Sequence, residues 1–250
     1  MLLHGLGDSA DLWRHQVADL AAGHRTITLD LRGHGQSPRA GSEFTVMHMA
    51  DDVHGTLEAL AIGAVVLIGL SMGGGVAQAF TIRHPELVRA LVLVSTSSEF
   101  PEATRRRFFE RAARAERQGM AAVIEETVPR WFTPAFSEMH PDEVERTRRG
   151  VLEVDPAAFA AASRANAIRH FTDDLPSVRC PVLFIGGAED PADPRRAIEI
   201  YRHGLRNFRA ELIPGASHLV PVEASTAFNA IVLRFLAEVE REPELPGGAP

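Results

Sequence analysis

Ser71 stands in Gly69-Leu70-Ser71-Met72-Gly73, where the apolar run Val65-Val66-Leu67-Ile68 gives way to a segment opening with small residues. A serine at such a strand-to-helix turn sits in a strained backbone, and the neighbouring chain runs so close that only glycine fits at its flanks. The helix start beside it offers free N–H groups, that of Met72 first, and partial positive charge to a developing oxyanion. This is the chemistry of a nucleophile attacking a carbonyl. The competing reading is a glycine-rich turn that holds a dinucleotide. It needs Gly-x-Gly-x-x-Gly, and Ser71 occupies the place of the second glycine.

A serine hydroxyl is nearly inert at neutral pH, so it needs a positioned imidazole, which in turn needs a carboxylate to fix its tautomer. The chain has 11 histidines, and position must choose among them. Folds with this kind of elbow order the three groups serine, acid, histidine. His218 fits: it ends Ile213-Pro214-Gly215-Ala216-Ser217-His218, a loop between the last expected strand and the final helix. His203 falls in or just past a helix and His170 at the end of a helical insertion, where solvated or structural roles suit them better. For the acid, Gly186-Gly187-Ala188-Glu189-Asp190 follows directly on a strand, and Asp190 is the choice. Asp193 suits a helix N-cap before Pro194, and Glu189 is the third candidate.

The second oxyanion donor is expected from His4-Gly5-Leu6-Gly7, through the backbone N–H of Leu6. His4 itself is read as a structural group that holds this loop by hydrogen bonds. In Asp30-Leu31-Arg32-Gly33-His34-Gly35-Gln36-Ser37, a catalytic Asp30 or His34 is one reading. A glycine-rich turn braced by Asp30 and Arg32 is the plainer one.

These residues need a frame that brings them to one edge. The expected strands are 26–29, 64–68, 90–94, 181–185 and 209–213. Most are Val, Ile and Leu without polar alternation, as in strands buried on both faces. Helical candidates lie between them at 10–22, 45–60, 72–83, 194–201 and 221–240. This alternation predicts an α/β fold with a mostly parallel, doubly wound sheet. Residues 98–174 break the rhythm. They hold no convincing strand and read as Arg-, Glu- and Ala-rich helices punctuated by Pro101, Pro129, Pro134, Pro141 and Pro156. A segment this long is expected to form a helical cap over the carboxyl edge of the sheet. The core is then 1–97 and 175–240, with 241–250 a frayed tail rich in Pro and Gly.

Composition narrows the partners. Of the 250 residues, 45% are hydrophobic and 24% charged, which fits a globular chain and not a disordered one. The net charge of −7 argues against nucleic acid or an anionic membrane as the partner. Every basic residue is arginine, which reads as a mark of a GC-rich genome rather than of function. Cys180 is the single cysteine, so no intrachain disulfide is possible, and its place before an apolar run predicts a buried thiol. No apolar stretch approaches the ~20 residues of a membrane span, and no leader pattern is visible, so the cytoplasm is the default. No His, Cys or carboxylate cluster has metal-ligand spacing, and neither a metal nor another cofactor is inferred. A small ester or lactone is the expected partner; the sequence sets no oligomeric state.

With these motifs in order, the chain resembles the α/β-hydrolase superfamily over nearly its whole length. Within it, the chain is most similar to the 3-oxoadipate enol-lactonases, on Gly69-Leu70-Ser71-Met72-Gly73-Gly74, Ala50-Asp51-Asp52 and above all Arg130-Trp131-Phe132-Thr133-Pro134-Ala135-Phe136. The resemblance implies opening of an enol-lactone through an acyl-enzyme on Ser71, followed by attack of water. Trp131 would line the pocket or pack in the cap core, and an arginine would meet the carboxylate of the lactone. Esterases, cofactor-free perhydrolases of haloperoxidase type and carbon–carbon bond hydrolases share the core motifs. A binding protein that keeps the fold without catalysis is a further alternative. A haloalkane dehalogenase is disfavoured, because it needs aspartate where Ser71 stands. In this family, further strands precede the one before His4-Gly5. Here only Met1, Leu2 and Leu3 precede His4, so the chain is expected to be written short or truncated at its start and to hold Leu6 loosely.

Overall fold

The computed structural model describes residues 1–38 and 43–241. Its strands are β1 (Leu2–Leu3), β2 (Thr28–Leu29), β3 (Val65–Leu70), β4 (Val88–Val94), β5 (Val182–Gly187) and β6 (Phe208–Ile213). They form one sheet, ordered β2-β1-β3-β4-β5-β6, and every pairing is parallel. The helices are α1 (Arg14–Ala21), α2 (Val46–Ala59), α3 (Met72–Arg83), α4 (Glu102–Gln118), α5 (Ala121–Thr127), α6 (Pro134–Met139), α7 (Pro141–Glu153), α8 (Pro156–Ala167), α9 (Pro194–Gly204), α10 (Val220–Glu223) and α11 (Ser225–Arg241). The doubly wound sheet expected from the apolar runs is therefore present, and each expected strand lies within two residues of an observed one.

Parallel strands put all their carboxyl ends on one edge. The chain leaves β1 for β2 on one side and later adds β3 on the other, so the order of winding switches between β1 and β3. Ligand crevices form outside the strand ends at such a point. β1 has only two residues, yet it is paired on both sides. Leu2 N–H donates to Ile27 O at 2.8 Å, and Ile68 N–H donates to Met1 O at 2.9 Å. Leu2 and Leu3 are fully buried.

α3 has the span read from the sequence, and its residues from Met72 to Thr81 are all buried between sheet and helices. Other boundaries moved. The segment at 10–22 opens with a 3₁₀ turn, Ala10–Trp13, before α1. α9 runs on to Gly204, so His203 lies inside it and its Nδ1 contacts Glu199 O at 2.7 Å. The helix expected at 221–240 is broken at Ala224, whose backbone (φ −130°, ψ 44°) separates the short turn α10 from α11. The last helix continues through Arg241, one residue into the expected tail; the rest of that tail, 242–250, lies outside the described residues.

Between β4 and β5 the described residues contain helices and no strand. Pro134, Pro141 and Pro156 open α6, α7 and α8 at their first position, where a missing N–H costs nothing. α4 lies along α8, joined by the Ser163 hydroxyl on Phe108 O at 2.9 Å and by the Arg164–Glu116 ion pair at 2.6 Å. Cys180 is buried just ahead of β5, and burial pushes its thiol up to about 12. No helix among the described residues is long and apolar enough to cross a membrane.

Candidate active site

Ser71 caps α3 with φ 53° and ψ −108°, a left-handed backbone that a serine adopts only under constraint. The constraint is visible. Ser71 N–H donates to Val94 O at 2.9 Å, and Ser71 O accepts from Gly75 N–H at 3.2 Å and the Thr96 hydroxyl at 2.7 Å. A Cβ at Gly73 would collide with the carbonyls of Leu3 and His4. The elbow is thus pressed onto the end of β1, and the glycine there is what admits the approach.

That contact sets the Leu6 loop beside the serine. The loop is held from below by two histidines. His4 Nε2 accepts from Leu31 N–H at 2.9 Å while its Nδ1 lies 2.7 Å from Gly5 O. His34 Nε2 accepts from Gly7 N–H at 3.1 Å. Burial, with the nearby His34, drives His4 down to about 3, so it stays neutral and keeps accepting. The loose loop expected from so short a β1 is not what the structure shows. Asp30 braces its turn as expected, accepting from Ala10 N–H at 2.6 Å and Gln36 N–H at 2.9 Å. Arg32 does not brace that turn. It points outward to a bidentate pair with Asp52, both distances 2.6 Å.

β5 and β6 deliver the other two groups. Asp190 is buried, and its Oδ2 lies 2.8 Å from His218 Nδ1, while Oδ1 accepts from Ala192 N–H at 2.8 Å. Burial alone would raise the Asp190 carboxyl. The charge and hydrogen bond of His218 and the Ala192 N–H outweigh it and hold the carboxyl below its ordinary range. Asp193 instead caps α9, accepting from Arg196 N–H at 3.2 Å. With Nδ1 turned to Asp190, Nε2 is the atom of His218 left for proton transfer. Ser71, Asp190, His218 and Leu6 all line one cavity of about 270 Å³.

The segment between β4 and β5 walls this cavity and grips the histidine loop. Leu219 N–H donates to Trp131 O at 3.0 Å, and the Ser217 hydroxyl donates to Arg130 O at 3.1 Å. Glu223 ties the same pieces together: it accepts from Ser217 N–H at 2.7 Å and from Thr133 N–H at 2.8 Å and hydroxyl at 2.5 Å. Trp131 lines the cavity and also packs on the core, so both placements weighed for it occur together. His170 is exposed, in contact with Glu99 at 3.2 Å and Asp173 at 3.4 Å. Nothing in the local sequence marks Glu223, because an acidic residue early in a helix reads as a partner of the helix dipole.

Among the further charged groups that line the cavity, Asp8, Arg111 and Arg169 stand out by burial. Asp8, next to the Leu6 loop, is raised to about 6 by burial. Arg111, on α4, lies over the Phe108 ring at 4.8 Å and is lowered to about 10 by burial. Its Nε has no hydrogen-bond partner. Arg169 lies under the elbow. No group of three or more potential metal ligands occurs among the described residues. A serine in a strained turn and an imidazole on a buried carboxylate, with Leu6 on the same cavity, can together carry out acyl transfer.

Residues 1–225 match the family model for the alpha/beta hydrolase fold. A 3-oxoadipate enol-lactonase of Acinetobacter baylyi is 28% identical over 236 residues, which cover 93% of this chain and 87% of the relative. A Mycobacterium tuberculosis protein bearing the name of a non-heme bromoperoxidase is 31% identical, covering 96% of this chain and 94% of its own. Among solved structures, a malate-bound thermophilic esterase from Thermogutta terrifontis superposes with a TM-score of 0.90 at 31% identity, over 95% of this chain and 89% of its own. The likeness to enol-lactonases expected from the motifs is thus found over nearly the whole chain.

Proposed function

The chain belongs to the alpha/beta-hydrolase fold family, and from that premise we propose that it is a serine hydrolase of carboxylic esters or lactones that works through an acyl-enzyme. The observation that carries the reading is the 2.8 Å contact of buried Asp190 with His218 on the cavity that holds Ser71. Ser71 Oγ attacks the substrate carbonyl as His218 Nε2 takes its proton, and Asp190 holds the imidazolium that forms. The N–H groups of Leu6 and Met72 receive the oxyanion. The tetrahedral adduct collapses, His218 returns the proton to the leaving oxygen, and water enters by the same route to free the acid. The segment 98–174 acts as the cap that closes the cavity and sets the substrate. The chain needs no cofactor for these steps.

The finer reading is an enol-lactone of the 3-oxoadipate kind. The likeness to the Acinetobacter enzyme supports it, and so does Arg111, a half-buried cation on the cavity wall with Glu126 as the nearby opposite charge and its Nε without a hydrogen-bond partner. An arginine so placed suits the free carboxylate of such a lactone. Trp131 would pack against its ring. A second reading, peroxide-dependent perhydrolysis on the same three residues, is favoured by the likeness to the bromoperoxidase-named relative.

Turnover of 3-oxoadipate enol-lactone, p-nitrophenyl acetate and a panel of simple esters tests both levels. Hydrolysis of the small activated ester is expected, and Ser71→Ala is expected to abolish it. Activity retained in that variant overturns the assignment of Ser71. Halogenation that depends on peroxide and acetate, without lactone turnover, selects the second reading.

A further inference from the structure

Arg169 follows α8 at the end of the inserted segment, and it is only 5% exposed. Its Nη1 donates to Ser71 O at 3.2 Å and to Asn166 Oδ1 at 2.5 Å; its Nη2 donates to the Thr96 hydroxyl at 3.0 Å and Ser97 O at 2.9 Å. The guanidinium lies 4.5 Å from the centre of the Phe100 ring. Every one of these acceptors is neutral. No carboxylate among the described residues reaches ion-pair distance, an unusual state for a buried arginine. Burial lowers the group to about 10, which leaves it charged at neutral pH. Room for it is made by Gly75, where a Cβ would collide with Nη1. A third glycine in this position is not required by the elbow itself; the arginine accounts for it.

The acceptor matters because Ser71 C=O and Met72 N–H belong to one peptide unit. That unit is planar, so fixing its carbonyl fixes the direction of its N–H. A charged donor on the oxygen also polarises the amide and strengthens the N–H as a donor. We propose that Arg169 is a positioning residue for the reaction at Ser71: from beneath the elbow it aims and polarises the peptide whose N–H receives the oxyanion. This rests on the assignment of Ser71 as nucleophile. It gives the end of the inserted segment a hold on the transition state through the peptide of the elbow.

The test compares wild type, Arg169→Met, Arg169→Lys, Gly75→Ala and Ser71→Ala, with p-nitrophenyl acetate as substrate and a trifluoromethyl ketone as mimic of the tetrahedral oxyanion. Arg169→Met is expected to lower kcat about 10- to 100-fold with KM within about twofold, and to weaken the ketone by the same factor as kcat. Arg169→Lys, which keeps the charge, is expected to recover part of both. Gly75→Ala displaces the guanidinium while favouring the helix, so it carries the test if Arg169→Met does not fold, and the same paired losses are expected from it. If kcat and ketone affinity stay within about twofold of wild type in the Arg169→Met and Gly75→Ala proteins, the proposal fails. It fails equally if KM rises as kcat and thermal stability fall, since Arg169 would then be scaffold alone. An active Ser71→Ala protein would overturn the nucleophile assignment instead, and the two failures are told apart.

Discussion

The proposed nucleophile and the proposed base are held in different ways. Ser71 is fixed by backbone contacts between neighbours in the sheet: its N–H on Val94, its helix start packed through Gly73 onto Leu3 and His4. His218 sits in a loop that packs on β5 at Gly187 and is tied besides from outside the sheet, Ser217 by Glu223 and Arg130 O, Leu219 by Trp131 O. The serine is therefore as rigid as the core. The histidine is as well placed as the inserted segment is docked. Disturbance of the docking should consequently misplace His218 before it disturbs Ser71.

Several substitutions break or sharpen this contrast. Ser71→Ala heads the list with loss of ester hydrolysis. Asp190→Asn keeps the shape of the acid loop but favours the wrong imidazole tautomer, and a fall in kcat of roughly 10³–10⁴-fold is expected by stopped-flow or steady-state assay. Glu223→Gln is the direct probe of docking. The amide cannot accept from Ser217 and Thr133 together as the carboxylate does, so one donor is lost. A fall in kcat of about tenfold is expected, with a melting temperature lower by a few degrees for about 1–2 kcal/mol. An intact fluorophosphonate labelling site at Ser71 in that variant would show that the nucleophile side is spared. Loss of labelling in step with kcat would instead erase the distinction between the two sides.

The smallest effect concerns Asp8, beside the oxyanion loop. Its folded value is raised from the ordinary 3.8 to about 6 by burial, so the protein holds the neutral carboxyl more readily than the unfolded chain does. The relative stabilisation is complete below about pH 4 and is lost as pH rises through about 6. Asp8→Asn should then raise the melting temperature at pH 8 by a few degrees, for about 1–2 kcal/mol, and leave it unchanged near pH 4. A gain of equal size at both pH values would mean that the charge is not its source.

This contrast also explains what could be read in advance. The elbow is local: Gly-x-Ser-x-Gly after an apolar run carries its own geometry, and α3 begins and ends where the residues say. The meeting of Asp190 with His218 was legible because parallel strands deliver their following loops to one edge. Glu223 and Arg169 were not, because their partners at Ser217, Thr133, Thr96 and Ser71 are distant in the chain and no spacing links them. Arg32 shows the same limit in reverse, since a turn motif suggested a local brace and a helix carboxylate captured it. The break at Ala224 was hidden in an unbroken apolar pattern, and only the carboxylate it presents to the histidine loop gives it meaning.

Cys180 lends itself to a different use. As the one thiol in the chain, buried ahead of β5 and held protonated by its surroundings, it is closed to alkylation while the sheet is intact. The rate at which a maleimide reaches it therefore counts openings of the strand that carries the acid loop. The native protein brings its own clock for the breathing of that edge, with no label to engineer.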